Sequence, residues 1–221
     1  MKFLNLAPFQ AKAAAEKRLR RIVVPFNPQP IEYDGMWMWK GLAWGAVTDP
    51  VDPICKCPFS VGQVVGLKEE FYIDYMGLQD GKLPDDYPHW AEDNTYYRID
   101  GECCEQIPEC QCATMGKPRW RAASTMPWWA IRHHFTIISI EAKMLGQLTE
   151  WEAEETGVER AIYGEDEDGP YLRSIDDEQD NKLASFKQPF QFHWNIPYRR
   201  RPALAWRDGL WTWSLGGEVK G

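Results

Sequence analysis

Lys17, Arg18, Arg20 and Arg21 put four of the chain's 25 basic residues into five consecutive positions. Guanidinium groups at that density suit phosphate recognition, because each planar fork can make paired hydrogen bonds to an anion's oxygens. A second grouping, Trp128-Trp-Ala-Ile-Arg132 behind Pro127, sets two indoles close to a guanidinium. Base stacking and phosphate neutralisation require those side-chain types together. Packing competes with that use, since the chain has 12 tryptophans and most must be interior. His133 and His134 open a strand and point to opposite faces, so any one cavity receives only one of them. Arg199-Arg-Arg201 is a third basic run, read as a solvated turn.

Six cysteines fall into two groups, Cys55 and Cys57, then Cys103, Cys104, Cys110 and Cys112. Neither the vicinal pair nor the C-x-C pairs have the C-x2-C spacing common in zinc knuckles. In a reducing compartment they read as thiols or metal ligands rather than disulfides. Two readings stand: free cysteines in loops, or a structural zinc held by Cys57, Cys110, Cys112 and Cys55 that staples a polar, proline-containing segment. No other cofactor is required. The acidic run over 163–182 lacks the ligand order of a calcium loop and reads as a solvated insertion.

The elements that must carry these residues belong to an acidic chain of 221 residues and formal charge -8. That charge argues against indiscriminate coating of polyanions but permits a local basic groove. The N-terminus lacks the apolar run of a signal peptide, and no window approaches the roughly 18 apolar residues of a membrane span. A soluble cytoplasmic protein is expected. Strong helix formers predict a helix over 9–21, with Pro8 in its first turn and Glu16 four residues before Arg20. On that reading the basic residues finish the helix and complement its dipole. Strands are predicted within 61–73, at 96–99, over 135–143 and over 210–215. In the third of these, Thr136, Ile138, Ile140 and Ala142 share one face. Thr149, Glu152 and Gly157 spell the capping box and C-terminal stop of a short helix. Many short strands with a few helices indicate an α+β or small-barrel domain.

In order along the chain stand Glu16–Arg21, Cys57-Pro-Phe59, Val61-Gly-Gln-Val-Val-Gly-Leu-Lys-Glu69, Thr125-Met-Pro-Trp-Trp-Ala-Ile-Arg132, the strand over 133–143, Leu148-Thr-Glu150 and Gly209-Leu-Trp-Thr-Trp213. This succession resembles the ASCH domains of the PUA-like superfamily, in the longer form encoded by phages and prophages. Met-Pro-x-Trp-Ala-x-Arg is its most specific piece. The resemblance implies a single domain over 1–221, a mixed β-barrel with flanking helices and long insertions at about 27–54, 74–118 and 160–205. It also implies a barrel cleft that binds RNA, nucleotides or modified bases. Glu69 and Trp129 match family positions, Trp129 as the packing tryptophan and Trp128 as the freer one.

Some relatives are amidohydrolases of acetylated cytidine, using a Lys, a Thr and a Glu. Here those positions hold Glu16, Leu19 and Thr156, and no hydroxyl lies between Glu16 and Val24. A leucine cannot attack a carbonyl. The expectation is therefore a phage-encoded binder of RNA, DNA or a modified nucleotide in the host cytoplasm, away from membranes. Its expected site is Lys17, Arg18, Arg20, Arg21, Glu69, Trp128, Trp129 and Arg132, with Arg18, Arg20 and Trp128 converging on one concave surface. Two alternatives remain: a hydrolase or nuclease with displaced residues such as Lys17, Glu69, Glu155 or His134, and a phage factor that binds a host protein through the Trp-rich segment 36–44 and the acidic insertion.

Overall fold

A computed structural model of the chain describes residues 2–39, 42–46, 57–73, 95–100, 120–166, 169–173, 175, 183–198 and 200–220. Strand β1 (Lys2–Asn5) leads into helix α1 (Pro8–Ala15) and strand β2 (Arg21–Pro25). A three-stranded meander follows, β3 (Ile31–Tyr33), β4 (Met36–Trp39) and β5 (Leu42–Ala46). Next come β6 (Val64–Lys68), β7 (Phe71–Ile73) and β8 (Thr95–Tyr97), then the long β9 (His133–Met144). Helix α2 (Glu150–Glu155), the hairpin β10 (Ile162–Asp166) and β11 (Gly169–Arg173), helix α3 (Lys187–Tyr198) and strand β12 (Trp211–Lys220) complete the order.

The central sheet runs β1-β6-β9-β12-β2; β1 lies parallel to β6 and the other pairs are antiparallel. This is a mixed α+β fold, but the sheet stays open. The expected closed barrel does not form among the described strands, because β1 and β2 are its two opposite edges. Between them in sequence, α1 buries Ala11, Ala13 and Ala14 in the core that covers one face. Phe26, Trp37, Phe135, Ile137, Trp211, Trp213 and Leu215 belong to the same core. On the other face, Val23, Leu148, Ala153, Phe190, Trp194 and Leu210 pack together beneath α2 and α3. Two covered faces explain why β12 is buried from Trp211 through Gly216 without a break in its pattern.

Two local expectations are corrected. The helix predicted to reach 21 ends at Ala15. The Lys17 amide donates to the Ala14 carbonyl at 3.0 Å and the Arg18 amide to the Ala13 carbonyl at 2.7 Å, a Schellman ending with Lys17 in the left-handed region at φ 57. Burial of Leu19 and Ile22 in the core outweighs the helix propensity of this stretch. The basic residues therefore lie beyond the last helical turn: Lys17 and Arg18 close α1 through their backbone amides, and the run carries the chain into β2. In β9, Gly216 pairs with Ser139 and Gly217 with Ile137, so Ile138 is an extra, bulged residue. Ile137 and Ile140 can then both reach the core while Ile138 turns outward, which breaks the simple alternation over 135–143.

Helix α2 forms as its sequence spells. The Glu152 amide donates to Thr149 Oγ1 at 3.2 Å and the Thr149 amide to Glu152 Oε2 at 2.9 Å. Gly157, at φ +85, ends it against α1; a Cβ there would fall 2.1 Å from that of Ala13. The described part of the acidic run forms the β10–β11 hairpin. No helix among the described residues is long and apolar enough to cross a membrane.

Candidate functional site

Three pieces of chain that are distant in sequence enclose an open cleft of about 620 Å³. One wall is the link from α1 into β2, bearing Lys17, Arg18, Arg20 and Arg21. Another is α2, with Trp151, Glu154 and Glu155. The floor is the β9–β12 bulge, with Ile138, Ser139, Gly216 and Gly217. Main-chain bonds lock the walls to the floor: the Arg20 amide donates to the Glu155 carbonyl and the Gly217 amide to the Arg20 carbonyl, each at 2.8 Å. Within that link Leu19 points into the core, fully buried, while Lys17, Arg18 and Arg20 are exposed.

The four cations are not equivalent. Arg21 is anchored: its Nε lies 2.7 Å from Glu155, its Nη1 donates to Ser214 Oγ at 2.7 Å, and Glu152 stands 3.5 Å away. Burial alone would raise the Glu152 carboxyl, but Lys143, Thr149 and their hydrogen bonds hold it below the usual carboxylate range. Arg18 pairs with Glu16 at 2.6 Å on the exposed rim. This replaces the Glu16–Arg20 pairing that the helical reading implied. Lys17 and Arg20 carry no ion pair among the described residues. Glu16, Glu152, Glu154 and Glu155 match the four cations in number, so the positive charge the cleft offers to a ligand rests on Lys17 and Arg20.

Glu69, Arg132, Trp128 and Trp129 do not line this cleft. Arg132 makes a forked ion pair with Glu69 at 2.9 and 3.1 Å and a second with Asp100 at 2.5 and 2.9 Å. Its guanidinium lies over the Tyr97 ring, 3.9 Å from the centroid. Burial works against the Arg132 charge, but the two carboxylates outweigh it and hold the guanidinium ionised far above any physiological pH. Glu69 is only 2% exposed; burial pushes its carboxyl up and Arg132 partly offsets the push. Trp129 packs partly buried against Met126, Ala130 and Ile131, whereas Trp128 is 75% exposed. Arg18 and Arg20 thus share a concave surface without Trp128. Neighbouring His133 is pushed down to about 4, first by burial and then by Arg132, and its buried Nε2 finds no hydrogen-bond partner among the described residues.

Of the candidate zinc ligands, Cys55, Cys110 and Cys112 lie outside the described residues, as does Arg199 of the third basic run. Cys57 is half-buried, and burial pushes its thiol up. No group of three or more potential metal-ligating His, Cys, Asp or Glu residues occurs among the described residues.

Sequence reasoning missed Trp151, Ser139 and Ile138. The signal for Trp151 was a lone indole within the acidic stretch Glu150-Trp-Glu-Ala-Glu-Glu155, where nothing polar-faced needs one. Ile138 and Ser139 had no local signal, because their exposure depends on the bulge. In comparisons with known proteins, the chain matches no family model, no curated protein and no solved structure.

Proposed function

We propose that the protein binds nucleic acid or a nucleotide in the cleft between the α1–β2 link, α2 and the β9–β12 bulge. It acts as an ASCH-like, phage-type binding protein without the amidohydrolase machinery of the family it resembles. The observation that carries this reading is the convergence of Lys17, Arg18, Arg20 and Arg21 on one open cleft in a chain of net charge -8. Two of these cations, Lys17 and Arg20, carry no ion pair among the described residues and are therefore available to phosphate oxygens. Loss of the machinery is supported at two of the three aligned positions. Leu19 is sealed in the core, and the fully buried Thr156 hydroxyl is spent on the Ala153 carbonyl at 2.6 Å.

The test is fluorescence anisotropy with a labelled single-stranded RNA across a salt series. Neutralising about two phosphates gives a slope of log affinity on log salt near −1.4. Replacing Lys17 and Arg20 together by alanine abolishes most of that slope. Binding that ignores both salt and this double substitution refutes the reading.

A second reading, hydrolysis of an acylated nucleoside by displaced residues, rests on one observation: Lys17, Ser139 and Glu155 line the same cleft. An amine, a hydroxyl and a carboxylate are the groups such chemistry needs. Glu155 is already committed to Arg21, which favours binding over turnover. Acetate release from acetylated cytidine, lost in Ser139→Ala, would reverse that preference.

A further inference from the structure

We infer that the cleft receives one unpaired nucleotide, its base lying on the Trp151 indole and its phosphate held by Lys17 and Arg20. This deepens the binding function proposed above and rests on it. Trp151 is 67% exposed, and Ile138, 58% exposed, opens onto the same cleft. Two large apolar side chains left in water beside two cations with no ion pair among the described residues form an amphipathic lining suited to a ligand with a flat apolar face and an anionic end. A nucleotide has both. A base can meet the indole only when it is out of a duplex stack.

Size and charge point the same way. The cleft's roughly 620 Å³ falls within the range of small-ligand sites. Duplex binding draws on a row of phosphate contacts, whereas this cleft offers two cations that are uncommitted among the described residues, on a chain of net charge -8.

Lys17 supplies an independent observation. It occupies the left-handed position of the α1 ending at φ 57, where glycine sits without strain and a side chain is disfavoured. Its ammonium makes no ion pair among the described residues, so the fold gains nothing evident from a lysine there. Strain of this kind clusters at functional positions. The Schellman geometry turns the chain so that Lys17 enters the cleft wall two residues before Leu19 enters the core.

The experiment titrates the full chain with three probes: a single-stranded RNA pentanucleotide, a strand of the same length without bases, and a stable blunt RNA duplex compared per phosphate. Trp151→Ala weakens pentanucleotide binding about ten- to a hundredfold, the range for one base stacked on an aromatic side chain, and Trp151→Phe restores most of it. The baseless strand binds the unsubstituted protein about as weakly as the pentanucleotide binds Trp151→Ala, and the duplex binds no better. Lys17→Gly weakens the pentanucleotide about tenfold while the melting temperature holds or rises, a combination that a purely structural lysine would not produce. If Trp151→Ala is silent, or the baseless strand binds as well as the intact one, while Lys17→Gly still loses affinity, the stacking inference is overturned and the basic cleft survives. If no probe binds the unsubstituted protein, both fall.

Discussion

Replacing Arg132 by methionine separates a structural arginine from a ligand-binding one. In the native protein Arg132 serves Glu69 and Asp100 at once and caps the Tyr97 ring. Methionine keeps much of the aliphatic bulk but leaves the Glu69 carboxylate, 2% exposed, without its counter-ion. Removing one partner of a buried pair costs about 3–5 kcal/mol, because the stranded charge has lost its water as well. For a chain of this size that corresponds to a fall in melting temperature of about 6–20 °C. Burial already pushes the Glu69 carboxyl up, and without Arg132 it rises further. A folded-state value above the unfolded one contributes stability at low pH that is lost as pH rises through it. The deficit of Arg132→Met is therefore largest near neutrality and shrinks on acidification.

The assay is urea unfolding at pH 7 and pH 5 for the native protein, Arg132→Met, Glu69→Leu and the double variant. The double variant should recover most of the loss, since two matched apolar groups need no counter-charge. RNA affinity in Arg132→Met, measured where the variant is folded, should stay within about twofold of native, as expected for a residue outside the cleft. A single substitution that costs under about 1 kcal/mol, or costs that simply add in the double variant, would refute the reasoning about a buried pair. A tenfold loss of affinity with stability intact would return Arg132 to the binding site.

Arg21→Met should destabilise by about 3 kcal/mol in a thermal melt, because Glu155, Glu152 and the buried Ser214 hydroxyl all lose a partner. Thr149→Ala should cost about 1 kcal/mol through the lost cap of α2 and leave affinity unchanged. His133, folded at about 4 against an ordinary 6.5, binds fewer protons in the folded state than in the unfolded one between those values, so stability falls as pH drops through that window. The effect is at most about 3 kcal/mol. His133→Gln should flatten the difference between urea midpoints at pH 7 and pH 4.5.

What the sequence determined by itself was local. The capping box of α2 closes over three residues, and Gly157 ends that helix by its own backbone freedom, so both were legible in the letters. The density of cations at 17–21 was equally visible, as was the presence of strands within 61–73, at 96–99, over 135–143 and over 210–215, where β-branched and aromatic residues cluster. The α+β class followed from those strands and helices. Tertiary structure decided the rest, because it depended on partners far away in the chain. Helix propensity favoured continuing α1, but burial of Leu19 and Ile22 stopped it and turned a helix end into a cleft wall. One extra residue in β9, defined only against β12, reversed which side chains face out and exposed Ile138. Arg132 looked as suited to a phosphate as Arg20 did; a glutamate 63 positions earlier in the chain claimed it, while no side chain among the described residues pairs with Arg20. Residue type sets which interactions are available, but long-range packing and charge pairing decide which of them remain for a ligand.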